Sequence, residues 1–101
     1  MIAELLNAIR TGDDQKVKEL IESDQDLVNQ ADARKFTPLI MASYMSKKEI
    51  TNLLITAGAN LEARDAKGNT ALILSAANRC PSATVVLLEF GADPTIKNNN
   101  N

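Results

Sequence analysis

The sequence predicts an all-α protein in which helix-turn-helix units, joined by short hairpin-like turns, stack into a solenoid. The first observation is that Thr37-Pro38-Leu39 is nearly copied as Thr70-Ala71-Leu72, 33 positions later. The second is that Gly58-Ala59-Asn60 returns at the same period as Gly91-Ala92-Asp93. A fixed period of this size is typical of stacked supersecondary units. The third is composition: 45% of the residues are hydrophobic but only 3% are aromatic, which favours an aliphatic core of closely packed helices.

Composition also restricts the functional class. A chain of 101 residues is the size of one domain. Its net charge of −2 argues against sequence-independent binding to nucleic acid, because such binding needs clustered Lys and Arg. No apolar run approaches the roughly 20 residues that span a bilayer, and Met1–Arg10 lacks the basic start of a signal peptide. The single cysteine, Cys80, fits a reducing compartment. We therefore expect a cytoplasmic monomer that binds neither nucleic acid nor membrane.

The first unit contains two predicted helices. Apolar residues at helical spacing predict a short amphipathic helix from Ile2 to Ile9, and the pattern breaks at residues 11–14. A second helix is predicted from Asp14 to Ser23, because acidic residues at its start suit the positive end of the helix dipole. The following polar segment, residues 24–35, holds only two bulky aliphatic side chains. We expect it to form an extended connection with a turn.

The second unit has clearer signals for helix ends. Thr37 is a favourable N-cap and proline suits the next position, so a helix is predicted over about Pro38–Met45. Ser46-Lys47-Lys48-Glu49 has the pattern of a capping box and predicts that a further helix starts there and runs to about Thr56. Gly58 then stands where a left-handed C-cap is expected.

The third unit repeats this plan. A turn is predicted at residues 67–69, an N-cap at Thr70 and a short helix over Ala71–Asn78. Pro81 lies near the start of a further predicted helix that ends at Phe90-Gly91. The segment after it begins another connection.

The repeated unit of turn, short helix, second helix and long connection resembles the ankyrin repeat. The resemblance divides a single domain, residues 1–101, into repeats at about 1–31, 32–64 and 65–97, and residues 98–101 would start a fourth. The first repeat matches only loosely. The resemblance implies a non-catalytic module that binds another protein through a concave groove and the turn tips. The residues that recur in register are Asp32, Thr37-Pro38-Leu39, Ala42, Leu53-Leu54 and Gly58-Ala59-Asn60, then Asp65, Gly68, Thr70, Leu72, Ala76, Leu87-Leu88 and Gly91-Ala92-Asp93.

The chain departs from the family pattern at five positions. Ile40 and Ile73 stand where the family usually has a histidine that ties neighbouring hairpin turns together. Lys35 replaces a usual glycine before the Thr-Pro-Leu motif, and Ser46 and Arg79 replace the glycine between the two helices. A residue other than glycine at positive φ costs about 1 kcal/mol, so we expect a stack less stable than consensus repeats.

The residue types of the chain disfavour catalysis. There is no histidine, so Ser-His-Asp and Cys-His nucleophile systems cannot form within it. The four glycines are isolated, so no phosphate-binding loop is present. Acidic pairs such as Asp13-Asp14 are better interpreted as helix starts and solvated loops than as metal ligands. Cys80 is better interpreted as an ordinary thiol than as a redox sensor. We expect no enzyme activity, cofactor or metal.

The resemblance implies that partners contact the turn tips and the exposed positions of the inner helices. Aromatic residues, Met and Arg are enriched in interface centres, which draws attention to Phe36, Tyr44 and Met45. The alternative is that Phe36 and Tyr44 merely pack against the neighbouring turn. The candidate partner-binding residues are Arg34, Phe36, Tyr44, Met45, Lys67, Asn69, Ala77 and Asn78, flanked by Ala33, Ala66, Arg10 and Thr11.

Two further interpretations remain open at the level of sequence. Val85, Leu88 and Ile96 would lack a neighbouring repeat, so we expect the natural protein to continue with at least one more. In that case the chain could be a regulatory or targeting segment of a larger enzyme or effector that continues beyond Asn101. An inert scaffold or a designed repeat is a third interpretation, but irregular residues such as Lys35 argue against consensus design.

Overall fold

The computed structural model describes residues 2–100 and contains only helices and turns within that range. A 3₁₀ helix, Gln25–Asn29, follows the second of the α-helices. The all-α class predicted from the sequence is confirmed. The α-helices in chain order are α1 (Ile2–Thr11), α2 (Asp14–Ser23), α3 (Pro38–Tyr44), α4 (Lys48–Thr56), α5 (Ala71–Ala77) and α6 (Pro81–Glu89).

The helices form two stacked rows. In sequence order they pack as the pairs α1 with α2, α3 with α4 and α5 with α6. Helices α1, α3 and α5 then stack on one another as the inner row, and α2, α4 and α6 stack as the outer row. This arrangement is a solenoid, because each pair covers its apolar face with the pair before and after it. The exact boundaries between repeats stay a prediction.

Two threonines start the inner helices α3 and α5, as predicted. The Thr37 hydroxyl accepts a hydrogen bond from the backbone N–H of Ile40 at 3.2 Å. The Thr70 hydroxyl accepts one from the N–H of Ile73 at 3.2 Å. Each bond satisfies one of the N–H groups that a helix leaves without an internal partner.

Glycine at positive φ ends the outer helix α4. Gly58 has φ 101°, the left-handed region predicted for it. Its N–H donates to the carbonyl of Ile55 at 3.0 Å, and the N–H of Ala59 donates to the carbonyl of Leu54 at 3.0 Å. These two bonds form a Schellman motif, which satisfies the last carbonyls of the helix.

The same motif closes the inner helices without glycine. Ser46 and Arg79 take φ values of 60° and 55°, and Lys35 in the preceding turn takes 63°. The N–H of Lys47 donates to Ala42 at 2.9 Å, which is the bond that defines the motif after α3. All three residues that stand in place of a usual glycine therefore take the left-handed conformation, and the energetic cost expected of a side chain there stays a prediction.

The capping box predicted at Ser46 was wrong. Helix α4 begins at Lys48, and its N-cap residue Lys47 makes no capping hydrogen bond with its side chain. Ser46 instead belongs to the turn that ends α3, and its hydroxyl lies against Sγ of Cys80 in the next repeat. The pattern misled because a serine in the left-handed conformation cannot also act as the extended N-cap.

The extended connection predicted for residues 24–35 was wrong in its first half. Gln25–Asn29 forms a 3₁₀ helix, and the Asp24 carboxylate accepts the N–H of Asp26 at 3.1 Å at its start. Leu27 and Val28 are both buried in the core. Burying two consecutive aliphatic side chains requires the backbone to turn, because an extended strand would point them to opposite sides.

Candidate partner-binding groove

An aspartate at the base of each hairpin turn organises the turn tip. In the second-unit hairpin, residues 32–36, the Asp32 carboxylate accepts the N–H of Arg34 at 2.9 Å and that of Phe36 at 3.0 Å. In the third-unit hairpin, residues 65–69, the Asp65 carboxylate accepts the N–H groups of Lys67 and Asn69, each at 2.9 Å. The two tips therefore share the same hydrogen-bonded turn.

The charge of Asp32 is favoured by these contacts. Partial burial of the carboxyl raises its pKa, but the hydrogen bonds from the N–H groups of Phe36 and Arg34 lower it. The Arg34 guanidinium, whose Nη2 lies 3.4 Å from Oδ2 of Asp32, lowers the pKa further. The net result is a pKa below the ordinary value, so Asp32 stays ionised and holds the turn at neutral pH.

Backbone hydrogen bonds connect the successive hairpin turns. The N–H of Ala66 donates to the carbonyl of Arg34 at 3.1 Å, and the N–H of Asn99 donates to the carbonyl of Lys67 at 3.0 Å. Ile40, which stands in place of the family's histidine, is fully buried in the core. The hairpins are thus joined directly through their backbones, while the isoleucine contributes apolar packing instead of a hydrogen bond.

A groove of about 520 Å³ lies between the hairpin tips and the ends of the inner helices. Its floor is apolar and its rim carries charged side chains. Its lining residues are Arg10, Arg34, Phe36, Met41, Tyr44, Met45, Asp65, Ala66, Lys67, Asn69 and Leu74.

Two aromatic rings form one wall of this groove. The centroids of Phe36 and Tyr44 are 6.5 Å apart and the rings meet edge to face at 79°. The guanidinium carbon of Arg34 lies 4.7 Å from the centroid of Phe36, within the range of a cation–π contact. Phe36 also packs against the core, whereas 39% of Tyr44 is exposed. Phe36 thus supports the wall, and Tyr44 offers accessible aromatic surface.

Several of the predicted contact residues line the groove together: Arg34, Phe36, Tyr44, Met45 and Lys67, with Arg10 and Ala66 beside them. Asn69 lines it too, but it is buried and its side chain is engaged. Its Nδ2 donates to Asp65 at 3.2 Å, and its Oδ1 accepts from Asn98 at 2.9 Å. Asn69 therefore braces the hairpin and offers little surface of its own.

Ala77, Asn78, Ala33 and Thr11 do not line the groove. Asn78 has a structural contact instead, because its Nδ2 donates to the carbonyl of Tyr44 at 2.6 Å. This bond joins the C-terminal end of α5 to that of α3. Asn78 therefore holds Tyr44's backbone in place from the neighbouring repeat.

Sequence reasoning missed three lining residues. Met41 on α3 lies one helical turn before the C-cap residue Met45, and Leu74 occupies the equivalent position of α5, 33 residues later. The helical period places residues four positions apart on one face, so Met45 could have identified Met41, and the repeat could then have identified Leu74. Asp65 was recognised as a repeated residue but not as a lining residue; it is buried, and its carboxylate is hydrogen-bonded within the hairpin.

The remaining chemistry-bearing groups lie apart from the groove. Cys80 is 1% exposed, and its Sγ lies against the Ser46 hydroxyl and 3.6 Å from the carbonyl oxygen of Tyr44. Within residues 2–100 there is no group of three or more acidic or cysteine side chains that could hold a metal ion. The helices of that same range are also too short and too polar to cross a membrane.

Comparison with known proteins supplies the family. A sequence model of the family described as ankyrin repeats (3 copies) matches residues 5–98. An ankyrin repeat-containing protein of Treponema pallidum (strain Nichols) is 28% identical over 90 residues, which cover 89% of this chain and 30% of that protein. The ankyrin repeat and SAM domain-containing protein 6 of Rattus norvegicus is 29% identical over 98 residues, 96% of this chain and 11% of that protein. The chain therefore spans less than a third of either relative.

Proposed function

We propose, because the chain belongs to the ankyrin-repeat family, that it binds a partner protein through the groove and the hairpin tips and performs no chemistry of its own. Ankyrin repeats are generally protein–protein interaction modules, and the family is generally non-catalytic. The proposal adds the binding surface to this general role. We also propose that the chain is a monomer and that it acts in the cytoplasm.

One observation supports the proposal above the others: an accessible aromatic residue and two methionines lie together in one groove. Tyr44 is among the exposed large hydrophobic residues of the described chain, and it borders Met41 and Met45. Aromatic residues and Met are enriched in interface centres. Exposed apolar residues that cluster in a depression mark binding sites more often than singly scattered ones do.

The mechanism would be recognition by a surface that is ordered before the partner arrives. Asp32 and Asp65 hold the hairpin tips, and Arg34 is oriented by contacts with Asp32 and Phe36. A surface that is already ordered loses little conformational entropy on docking. Binding free energy is then not spent on folding a loop.

The test is an affinity capture from a cell extract with the purified chain, followed by measurement of the affinity for the captured protein. Tyr44→Ala should weaken that affinity at least about tenfold, as truncation of a central aromatic residue does at other interfaces. Leu88→Ala is the matched control, because Leu88 is an exposed apolar residue outside the groove, and its change should leave the affinity unaltered.

Both variants should keep the helical circular dichroism and unfolding midpoint of the unmodified chain. If Tyr44→Ala folds normally and binds as tightly as the unmodified chain, the groove is not the binding site. Phe36→Ala is a less clean probe, since Phe36 also packs against the core.

A second candidate function is that the same repeats form the regulatory or targeting segment of a larger enzyme or effector. Two observations favour it. The segments that match this chain cover 30% and 11% of the two relatives, and the name of one of them includes a SAM domain. On α6, Val85 and Leu88 are 52% and 46% exposed, a surface that a further repeat would cover. A reading frame that stops after Asn101 in the intact gene would rule this candidate out.

A further inference from the structure

We infer that the groove recognises an acidic protein segment that carries a large apolar side chain. This inference rests on the proposed function and deepens it by stating the chemistry of the partner. It follows from the sign of the accessible charges at the groove and from the apolar floor between them.

The charged residues that line the groove are mostly cationic. Arg10, Arg34 and Lys67 contribute three positive charges, and Asp65 contributes the one carboxylate of the lining. The chain as a whole has a net charge of −2, so the positive character of the groove is opposite in sign to the average. Opposite potentials across an interface speed association and select the correct partner.

The Asp65 carboxylate does not offset this positive character toward a ligand. It is buried, and it accepts hydrogen bonds from the N–H of Lys67, the N–H of Asn69 and the side-chain amide of Asn69. Its lone pairs are directed into the hairpin. A bound partner therefore meets the cations before it meets this anion.

The acidic residues that make the chain net negative lie elsewhere. Exposed carboxylates occur on α1, on α2, on the segment after it, on α4 and on α6, and these do not line the groove. Asp32, the acid nearest to the rim in sequence, is paired with Arg34 at 3.4 Å. The lining of the groove is thus richer in cations than the chain as a whole.

The cationic rim is partly ordered in advance. Arg34 lies over the Phe36 ring and beside Asp32, so its guanidinium is held in one region. A pre-oriented guanidinium loses less side-chain entropy when it forms a bidentate pair with a carboxylate. Among the ion pairs of residues 2–100, neither Arg10 nor Lys67 takes part. Nη2 of Arg10 donates to Oδ1 of Asn7, but this neutral partner leaves the positive charge uncompensated.

The floor between these cations is suited to an apolar side chain. Met41, Tyr44, Met45 and Leu74 supply flexible thioether, aromatic and aliphatic surface. The volume of about 520 Å³ lies within the range of about 300–1,000 Å³ that is usual for ligand sites. A double-helical nucleic acid would leave this apolar floor unused, because its bases stack on one another. An acidic peptide segment with an aliphatic or aromatic residue uses both features.

The test selects binders from a displayed library of random peptides against the purified chain. The selected peptides should be richer in Asp and Glu than the unselected library, and each should contain a large apolar residue. Their affinity should fall as the salt concentration rises, because exposed charges are screened. A single-stranded thymidine oligonucleotide, tested in parallel, should bind more weakly than the selected peptides.

Matched charge variants locate the contact. Lys67→Gln should weaken the best peptide about two- to fivefold, the range expected for one partly exposed ion pair. Lys18→Gln on α2 removes the same charge from the outer row and should have no effect. Lys67→Glu should shift the selected peptides toward fewer acidic residues, which a purely structural role of Lys67 would not do.

The outcomes separate this inference from the proposed function. Neutral or basic peptides that still require Tyr44 would overturn the acidic partner and leave the groove as the binding site. Selected peptides that bind Tyr44→Ala unchanged would overturn the groove itself. Tighter binding of the oligonucleotide, or no enrichment of any peptide, would overturn the acidic segment as the partner.

Discussion

Replacing Arg79 by glycine should make this protein more stable, although the change removes a long side chain. Arg79 lies in the turn after α5 with φ 55°, a conformation that costs a residue with a Cβ atom about 1–2 kcal/mol. The glycine variant removes that cost but gains freedom in the unfolded chain, which offsets about 0.4–1 kcal/mol. The difference is a net stabilisation of about 0.8 kcal/mol.

The matched control is Arg79→Ala, which shortens the side chain but keeps the Cβ atom and its strain. Arg79 is exposed, so loss of the side chain itself should matter little. We expect the alanine variant to be about as stable as the unmodified chain and the glycine variant to be more stable than both. The backbone bond from the N–H of Cys80 to the carbonyl of Ser75, 2.8 Å long, should persist in all three.

Urea unfolding followed by circular dichroism measures the effect. With a slope of about 1–3 kcal/mol per molar urea, a gain of about 0.8 kcal/mol raises the midpoint by about 0.3–0.8 M. The melting temperature should rise by about 3–6 °C, as expected for a domain of this size. A glycine variant no more stable than Arg79→Ala would show that positive φ at this turn stores no strain.

Two further predictions concern Asp32 and Cys80. The pKa of Asp32 is lowered in the folded chain, so on acidification the unfolded chain takes up its proton first. The stability that Asp32 contributes is present above its ordinary pKa and is lost as the pH falls through the pKa of the folded state. Urea unfolding at a series of pH values should therefore show a smaller loss of stability in acid for Asp32→Asn than for the unmodified chain. An equal loss in both would contradict a lowered pKa of Asp32. Cys80 is 1% exposed, so a thiol reagent at neutral pH should react slowly with the native chain and rapidly in urea; fast native reaction would revive the redox-sensor interpretation.

Sequence patterns succeeded where the deciding interactions are local or follow directly from the repeat. Thr37 and Thr70 were predicted as N-caps because a threonine hydroxyl reaches the N–H three residues later in any helix start. The positive φ at Lys35, Ser46 and Arg79 was implied by the resemblance to the ankyrin repeat, in which glycine is usual at these positions. The N-caps depend on a few adjacent residues of this chain, whereas the left-handed positions depend on its alignment with the family pattern.

The sequence failed where a residue's role depends on a neighbouring repeat. Ser46 carries a capping pattern, but the turn after α3 places its hydroxyl against Cys80, 34 positions away. Leu27 and Val28 are both buried in the core and form part of a 3₁₀ helix. The polar residues around them did not indicate that helix. Contacts of this kind are set by how the rows stack.

The candidate groove shows the same division. The sequence by itself determined the stack, its register and the hairpin tips that carry Arg34 and Lys67, because helix caps, turns and period are encoded locally. Only the tertiary structure decided which side chains share one depression. It brought Met41 and Leu74 into the floor and turned Asn69 inward as a brace. The physical reason is that burial and hydrogen-bond partners are settled between repeats, where distances in sequence exceed the reach of any local pattern.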